Sequence, residues 1–443
     1  MRVVIIGAGV AGCQAAVTLR KISQDLEVVL IDSKREIGYS PCALPYILEG
    51  EMDIKEIWPF NKDMLTSQGV IVKAGEKAIS IDTRKKIVKT IMDGKEQEYN
   101  YDYLILTTGA SPRRIEIKGV ESYDTIKNPG DIERIERNIA NKNKIAIIGG
   151  GFIGLEVAAA LKRIGKEVVI IEAMPHLLPG ILDEDMARIV EQYLKSLGID
   201  IYYGKIREFS EGKIILENDI SIPGVEHFIV SIGDIPNIEL ARSAGIKTRT
   251  GIIVDKYMKT SNKYVYAAGD CVEVLDHVTK KPRRSVLANN AVREAIVAAY
   301  NIANKLGLAE RREFKGIIGM GISRAGDLFI ASAGISEEIA EKMNLDALAQ
   351  KISTTIAPRE YKNGIDTIHV KLIVDKKKRI IGGQVIGKGG VLTRINMIGM
   401  AIRNNLSLSD LVMLETAYNP VCTTTIDPIV KAAMVLERRL KNA

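Results

Sequence analysis

Cys42 is a residue whose type and setting could do chemistry. It lies between Pro41 and Pro45 in the stretch GYSPCALPY, residues 38–46. Pro41 suits the first position of a helix, which would place Cys42 in the first turn, where backbone N–H groups and the helix dipole favour a thiolate. The alternative is that Cys42 is a small apolar side chain packed in a core. The setting favours a redox cysteine.

A glycine-rich motif near the N-terminus has the spacing of a dinucleotide-binding site. Gly7, Gly9 and Gly12 follow a short apolar strand and precede a predicted helix. Glycines at these positions allow a tight turn and a close approach of the backbone to a pyrophosphate, which the N–H groups at the helix start can bind. The next predicted strand, residues 27–31, leads into Asp32, whose carboxylate can accept a hydrogen bond from a ribose hydroxyl.

The same pattern occurs a second time in the middle of the chain. Gly149, Gly151 and Gly154 follow a strand predicted over residues 144–148, and the next predicted strand leads into Glu172. Two copies, each flanked by a strand and a helix and each followed by an acid, make chance glycine spacing improbable. Two dinucleotide sites in one chain predict that electrons pass between two bound cofactors, most simply from a nicotinamide to a flavin.

The residues around Glu172 predict which nicotinamide coenzyme binds. Its carboxylate would repel a 2′-phosphate, and residues 173–175, Ala-Met-Pro, include no arginine that could neutralise one. NADH is therefore favoured over NADPH. NADPH remains open as an alternative because His176 or a distant lysine could still reach the site.

Two further segments complete the pattern of a known family. Thr108 and Gly109 end a predicted strand between the two motifs, and Gly269 and Asp270 follow another strand after the second motif. Together with the glycine motifs, these segments resemble the pyridine nucleotide-disulfide oxidoreductases. The resemblance implies that the N-terminal motif binds FAD, that Asp270 meets the flavin ribityl chain, and that the central motif binds NAD(P)H.

The surroundings of Cys42 resemble one branch of that family. Members with two redox cysteines have a CxxxxC pair, and no second cysteine follows Cys42 at a short distance, which excludes the lipoamide and glutathione reductase type. Ser40, Cys42, Pro45 and Tyr46 fit the Ser-x-Cys-x-x-Pro-Tyr pattern of the single-cysteine branch. This branch includes coenzyme A-disulfide reductases, NADH oxidases and peroxidases, and NAD(P)H-dependent sulfur or polysulfide reductases. The resemblance also assigns Ser40 to the cofactor site.

The C-terminal part resembles the dimerisation domain of the same family. It opens with residues 319–334, and strands are predicted near residues 367–374 and 380–386, followed by two helices. The resemblance implies a homodimer in which each active site is completed by the neighbouring chain. Tyr361 and Tyr418 stand where relatives place partner tyrosines near the reactive cysteine, and ordinary dimer packing is the alternative for both.

The chain departs from its relatives after Tyr418. The coenzyme A-disulfide reductase pattern has an aromatic residue and a lysine where this chain has Cys422 and Ile426. The missing lysine weakens the implication of a coenzyme A substrate. If this segment approaches the partner's flavin, Cys422 is a second thiol that could resolve a persulfide or mixed disulfide on Cys42. The alternative is a packed cysteine.

The predicted fold class is α/β, with two Rossmann-like dinucleotide-binding domains, for FAD and NAD, and a C-terminal α+β dimerisation domain. The predicted boundaries are residues 1–112 for the first part of the FAD domain, 113–242 for the NAD(P)H domain, 243–315 for the second part of the FAD domain and 316–443 for the dimerisation domain.

Composition and charge exclude other classes of protein. The formal charge of +7 is spread over 62 basic and 55 acidic residues, and the basic run at residues 376–379 is predicted as a solvated hairpin turn. No motif indicates nucleic-acid binding. The N-terminal apolar run is interrupted by glycines before a signal peptide could form, and no stretch has the length and apolarity of a membrane span. A cytoplasmic protein is predicted.

The remaining cysteines give no metal or disulfide pattern. The four cysteines are far apart in a long chain, without the CxxC spacing of a metal site. Cys13 lies on the predicted helix of the first motif and Cys271 follows Asp270, so both are predicted to be packed. No metal site is predicted.

These observations predict an enzyme. It would be an FAD-dependent NAD(P)H oxidoreductase that passes electrons through the flavin and Cys42 to a disulfide, a polysulfide or coenzyme A disulfide. Two alternatives remain open. One is an NADH oxidase, in which oxygen reacts with the reduced flavin. The other is an electron-transfer module that serves a protein partner, with no role for Cys42.

Overall fold

A computed structural model describes residues 1–357 and 366–441, and in it the chain divides into two compact units. The first unit comprises Met1–Leu44, Met52–Pro112 and Asp234–Ile317, and the second comprises Pro45–Glu51, Arg113–Gly233 and Ile318–Ala443. Pro45–Glu51, which follows Cys42 closely, belongs to the second unit, and no local pattern in the sequence indicates this. The division into three domains over four segments remains a prediction.

The strands are, in chain order, β1 (Arg2–Ile6), β2 (Glu27–Asp32), β3 (Val70–Ala74), β4 (Lys77–Asp82), β5 (Ile87–Met92), β6 (Lys95–Asn100), β7 (Tyr103–Leu106), β8 (Ala110–Pro112), β9 (Lys144–Ile148), β10 (Glu167–Glu172), β11 (Ile199–Tyr203), β12 (Ile206–Ser210), β13 (Lys213–Leu216), β14 (Ser221–Pro223), β15 (His227–Val230), β16 (Asp234–Pro236), β17 (Ile252–Ile253), β18 (Val265–Ala267), β19 (Val272–Leu275), β20 (Pro282–Arg284), β21 (Gly321–Ala325), β22 (Leu328–Gly334), β23 (Ala347–Thr355), β24 (Thr367–Asp375) and β25 (Ile380–Gly387).

The α-helices are α1 (Val10–Ile22), α2 (Leu44–Leu48), α3 (Lys62–Ser67), α4 (Pro129–Ile139), α5 (Phe152–Arg163), α6 (Glu184–Ser196), α7 (Glu239–Ser243), α8 (Ala288–Lys305), α9 (Glu337–Lys342), α10 (Val391–Arg403), α11 (Leu408–Val412) and α12 (Pro428–Lys441). Two 3₁₀ helices cover Pro41–Ala43 and Ile54–Ile57. No helix of the described residues has both the length and the apolar character needed to cross a membrane.

The first unit is built on a parallel sheet with the strand order β18-β7-β1-β2-β3. In its central strand, Val3, Val4 and Ile5 are fully buried, as expected for a strand covered on both faces. Helices α1 and α8 pack against each other. Because the carboxyl ends of parallel strands meet at one edge of a sheet, the loops that carry Gly7 and Gly269 lie at the same edge.

The second unit contains a parallel sheet with the order β11-β10-β9-β15. The second glycine motif follows β9, and Glu172 is the last residue of β10. A pair of neighbouring parallel strands therefore presents the glycines and the acid at one edge, as in the first unit.

The C-terminal part of the second unit has an antiparallel sheet with the order β21-β22-β25-β24-β23. The basic run 376–379 lies between the antiparallel strands β24 and β25, which confirms the predicted hairpin turn. The prediction of two helices after these strands was wrong, because α10, α11 and α12 follow. Helix α11 has five residues, too few to give a helical period in the sequence.

Four smaller sheets complete the strand pairing of the described residues. Their orders are β4-β5-β6, β16-β8 and β17-β19-β20 in the first unit, and β12-β13-β14 in the second. Together, the two parallel sheets with their helices and the C-terminal sheet confirm the predicted α/β fold class.

Candidate active site

Cys42 lies in a short helical stretch. The 3₁₀ helix Pro41–Ala43 has Pro41 at its start and leads directly into α2, which has five residues. The backbone N–H of Ser40 donates to the carbonyl of Ile57 at 2.7 Å, and this bond fixes the chain just before the helix. Cys42 is exposed. This helical stretch is short, so its dipole favours a thiolate less than the dipole of a long helix would.

The first glycine motif leaves one position open for a ligand. Gly7 has φ +107°, and a Cβ added there would lie 2.1 Å from the carbonyl oxygen of Thr107. A Cβ at Gly12 would lie 1.8 Å from the carbonyl oxygen of Gly7. A Cβ at Gly9 would meet no atom of the described chain within 4 Å, and Gly9 caps α1 without a side-chain hydrogen bond. The fold therefore requires Gly7 and Gly12, whereas the space beside Gly9 suits a pyrophosphate.

The second glycine motif repeats this arrangement. Gly149 has φ +109°, with the carbonyl oxygen of Ser231 2.6 Å from an added Cβ, and a Cβ at Gly154 would lie 2.0 Å from the carbonyl oxygen of Gly149. Gly151 caps α5 without a side-chain bond, and its added Cβ would meet no described atom within 4 Å. The start of α5 therefore fits a second dinucleotide.

Asp32 and its neighbours form the acid end of the first motif. Asp32 Oδ2 accepts a hydrogen bond from the N–H of Ala8 at 2.6 Å, and Oδ1 accepts one from the N–H of Lys34 at 2.8 Å. These bonds hold the carboxylate against the glycine turn. Each oxygen retains a second lone pair that can accept from a ribose hydroxyl.

Glu172 occupies the same place in the second motif. Its Oε2 accepts from the N–H of Gly150 at 2.7 Å, and its Oε1 accepts from the N–H of Met174 at 2.8 Å. His176, considered above as a neutralising group for a 2′-phosphate, is buried, and its Nε2 lies 2.9 Å from Glu338 Oε1. An acid fixed at this position and a histidine engaged elsewhere favour NADH.

The turn at Thr108 and Gly109 is held by a residue that the sequence analysis missed. The Asn237 side chain donates to the carbonyl oxygen of Thr108 at 2.8 Å, and the Asn237 N–H donates to the carbonyl oxygen of Gly109 at 3.0 Å. The Thr108 hydroxyl donates to the Asn237 carbonyl at 2.6 Å. Asn237 follows Thr108 by 129 positions, so no local pattern indicates this partnership.

The turn at Gly269 and Asp270 follows β18. Gly269 is buried and has φ +87°, a conformation that favours glycine. Its N–H donates to Oε2 of Glu294 on α8 at 2.8 Å. Glu294, which is buried, is the second residue that sequence reasoning missed, because a single acid within an apolar helix resembles an ordinary surface position.

A cluster in the second unit joins the segment after Cys42 to α5. The Ser323 hydroxyl donates to Glu156 Oε1 at 2.7 Å, and the Tyr46 hydroxyl donates to the same oxygen at 3.4 Å. Burial raises the pKa of Glu156 to about 7, against the effect of these hydrogen bonds and of Arg324. Tyr46 belongs to the Ser-x-Cys-x-x-Pro-Tyr pattern, so the last residue of that pattern contacts the helix of the second glycine motif.

Ionic contacts hold the same segment. Arg324 Nη2 lies 2.9 Å from Glu49 Oε1 and also pairs with Glu51, and its guanidinium lies 4.9 Å from the ring centroid of Tyr46. Arg163, the last residue of α5, lies 3.6 Å from Glu49 Oε2. Strand β21 and helix α5 thus fix residues 45–51.

The predicted partner tyrosines differ in what the structure describes. Tyr361 lies outside the described residues. Tyr418 has 51% of its surface exposed and precedes a turn in which Cys422 is also exposed. The end of this segment is held by Arg394, whose Nη2 lies 2.7 Å from Asp427 Oδ2, with both side chains buried. Exposure leaves Tyr418 and Cys422 accessible.

The other two cysteines are buried, which confirms that both are packed. Burial raises the pKa of Cys13 to about 12, and its thiol lies 3.3 Å from the carbonyl oxygen of Ala8. Burial raises the pKa of Cys271 to about 11. Thiols with such pKa values remain protonated at neutral pH and are poor nucleophiles.

Comparison with protein families agrees with this architecture. Residues 1–295 match the model of the pyridine nucleotide-disulphide oxidoreductases, and residues 326–428 match the dimerisation domain of the same family. The FAD and NAD(P)H cofactors of such enzymes fit the two glycine motifs and their acids.

Individual relatives match over nearly the whole chain. A protein of Methanocaldococcus jannaschii named NADH oxidase is 34% identical, with 100% of each chain covered. A CoA-dependent NAD(P)H sulfur oxidoreductase of Pyrococcus abyssi is 31% identical over 98% of each chain. Among solved structures, the NAD-dependent persulfide reductase of A. fulgidus is 31% identical, with a TM-score of 0.95, and the match covers 100% of this chain and 84% of that one. The chain therefore belongs to the pyridine nucleotide-disulphide oxidoreductase family.

Proposed function

We propose that this protein is a homodimeric FAD-dependent NADH:disulfide reductase that turns over a small sulfur substrate, a disulfide, polysulfide or coenzyme A disulfide, at Cys42. The observation that carries the proposal is the exposed Cys42 thiol within the pattern formed by Ser40, Cys42, Pro45 and Tyr46. Cys13 and Cys271 are buried and protonated, so they do not compete for this role. A cytoplasmic location remains a prediction.

The glycine motifs account for cofactor binding. Gly9 and the start of α1 would receive the FAD pyrophosphate, with Asp32 at the ribose and Asp270 at the ribityl chain. Gly151 and the start of α5 would receive NADH, with Glu172 at its adenine ribose. A flavin bound there would supply the two-electron chemistry that links NADH to Cys42.

The chemical step belongs to Cys42. Its thiolate attacks one sulfur of the substrate, forming a mixed disulfide or persulfide and releasing the other half as a thiolate. Two electrons, which originate from NADH, and one proton then release the bound half as a thiol and restore the Cys42 thiolate. The charges and atoms balance with NADH as the only reductant.

The names of the relatives support this substrate class. The Pyrococcus abyssi protein is named for CoA-dependent sulfur reduction, and the A. fulgidus structure for persulfide reduction. The second candidate function is oxygen reduction by an NADH oxidase, and the name of the Methanocaldococcus jannaschii relative favours it. Oxygen reduction can proceed at the flavin itself, whereas sulfur reduction requires Cys42. The effect of a Cys42 substitution on the rate therefore distinguishes the two functions.

The test is the anaerobic rate of NADH oxidation by FAD-replete protein with coenzyme A disulfide and with polysulfide. We expect Cys42→Ser to lower kcat with the preferred acceptor at least about 1,000-fold, as the loss of a nucleophile does. Met92→Ser, at an exposed position of the first unit, is the matched control and should equal the wild type. Equal rates for Cys42→Ser and the wild type would show that the thiol mechanism is wrong.

A further inference from the structure

Three side chains of the first unit have buried polar atoms for which no hydrogen-bond partner is found, and two of them, Glu294 and Ser285, lie near each other. Among the residues that the structure describes, no hydrogen-bond partner is found for Glu294 Oε1, for Ser285 Oγ, or for Nε and Nη2 of Arg284. An unsatisfied buried polar atom destabilises the fold, and native proteins contain few of them. The unsatisfied atoms of Glu294 and Ser285 indicate that a bound molecule or ordered water completes this part of the first unit.

Glu294 links this group to the turn assigned to FAD. Its Oε2 accepts the hydrogen bond from Gly269 at 2.8 Å, next to Asp270 in the chain. The side chain of Glu294 is 0% exposed, at the seventh position of α8. One oxygen therefore holds the turn, while the other remains available to a proton.

Burial is the main reason why Glu294 titrates near neutral pH, where its pKa is raised to about 7. The negative charge of Asp270 contributes to this rise, and the hydrogen bond from Gly269 and the charge of Arg293 on the same helix oppose it. The Ser285 hydroxyl also lies near enough to lower the pKa, although its geometry falls outside an ordinary hydrogen bond. Because Oε2 already accepts from Gly269, the proton of the neutral acid belongs on Oε1.

We propose that Glu294 is a positioning residue that holds the Gly269–Asp270 turn and takes up a proton from solvent when the flavin is reduced. The inference rests on the proposed function for the identity of the cofactor at this turn. A hydride brings two electrons and one proton, so the cofactor gains one negative charge on reduction. That charge favours the neutral form of a nearby acid, and an ionised Glu294 then takes one proton from water.

The experiment measures the two-electron potential of the bound FAD between pH 6.5 and 8.5. Spectroelectrochemical titration of the holoenzyme in a Cys42→Ser background keeps the cysteine and any acceptor out of the measurement. Above about pH 7, we expect flavin reduction to take up two protons per two electrons when Glu294 is present and one proton in Glu294→Gln. The slope of the potential against pH should therefore be about twice as steep with Glu294 as in Glu294→Gln. Glu310→Gln, an exposed position after α8, is the control and should keep the steeper slope.

A second variant keeps the test independent of the Glu294 substitution. Because the Ser285 hydroxyl lowers the pKa of Glu294, Ser285→Ala should move the onset of the steeper slope upward by about half a pH unit, equivalent to a threefold change in the protonation equilibrium. Equal slopes with and without the Glu294→Gln substitution, or an unchanged onset in Ser285→Ala, would overturn the proposal. Neither measurement depends on turnover, so failure of the proposed substrate leaves this test intact.

Discussion

The hydroxyl of Ser323 donates a hydrogen bond to Oε1 of Glu156 at 2.7 Å, and so joins a strand of the C-terminal sheet to the helix of the second glycine motif. Tyr46 reaches the same oxygen from the segment that follows Cys42. Three parts of the chain, distant in sequence, thus meet at one partly buried carboxyl group. The charge of that group should therefore affect stability.

Glu156 predicts a pH dependence of stability. Burial raises its pKa from 4.5 in the unfolded chain to about 7 in the folded protein, so its contribution is complete below pH 4.5 and is lost as the pH rises through 7. Glu156→Gln keeps an oxygen acceptor and does not titrate. We expect the melting temperature of the wild type, relative to Glu156→Gln, to decrease between pH 5 and pH 8 in calorimetry. A constant difference would show that Glu156 does not change its charge in this range.

A substitution at Gly9 should weaken cofactor binding without affecting folding, because the space beside Gly9 is open. Gly9→Ala adds a Cβ that meets no described atom within 4 Å, so its free energy of unfolding should lie within about 0.5 kcal/mol of the wild-type value. The variant should nevertheless retain far less FAD, because the Cβ occupies the space assigned to the pyrophosphate. Gly12→Ala is expected to fold poorly, because its Cβ would lie 1.8 Å from a carbonyl oxygen. Gly130→Ala, also without a neighbour within 4 Å, is the matched control and should bind FAD normally. Flavin absorbance after gel filtration measures retention.

Glu172, whose carboxylate accepts two backbone hydrogen bonds at the end of β10, predicts a preference for NADH over NADPH. Glu172→Ala removes two backbone hydrogen bonds and the charge that repels a 2′-phosphate. We expect KM for NADH to rise about tenfold, equivalent to about 1.4 kcal/mol, and the preference for NADH over NADPH to narrow. Glu167→Ala, at the exposed start of the same strand, should change neither quantity. Steady-state kinetics with both coenzymes provide the comparison, and an unchanged preference would refute the assignment.

We expect a large coupling energy between Arg394 and Asp427, the ion pair that holds the end of the segment that carries Cys422. Both side chains are buried, so Arg394→Leu leaves an unpaired carboxylate and should destabilise the protein by about 3–5 kcal/mol. Adding Asp427→Asn removes that charge and should recover part of the loss in chemical denaturation. Arg207→Ala, in an exposed pair with Asp219, should cost no more than about 1 kcal/mol. Additive effects at the buried pair would contradict this account.

The sequence predicted the parts of the site that recur at fixed spacing. The glycines, Asp32 and Glu172 follow a local order of strand, turn and helix, and that order is visible without any tertiary information. The contacts of Tyr46 with Glu156 and of Thr108 with Asn237 span 110 and 129 positions, and no local period indicates them. Long-range contacts of single polar residues depend on how the elements pack, so they require the structure.

Helix lengths were the other point that the sequence left open. Pro41 did indicate the start of a helical stretch, but the change from a 3₁₀ helix to the five-residue α2 has no marker in the residue pattern. The placement of residues 45–51 in the second unit depends on Glu49 and Arg324, which are 275 positions apart.

The most direct test of the central claim is to trap the covalent intermediate on Cys42. Protein reduced with excess NADH and freed of it is mixed with a disulfide, quenched with acid, alkylated and digested for mass spectrometry. The account predicts a substrate adduct on the peptide that contains Cys42, in the wild type and in Cys422→Ala. An adduct confined to Cys422, or an alkylated Cys42 without any substrate mass, would contradict it.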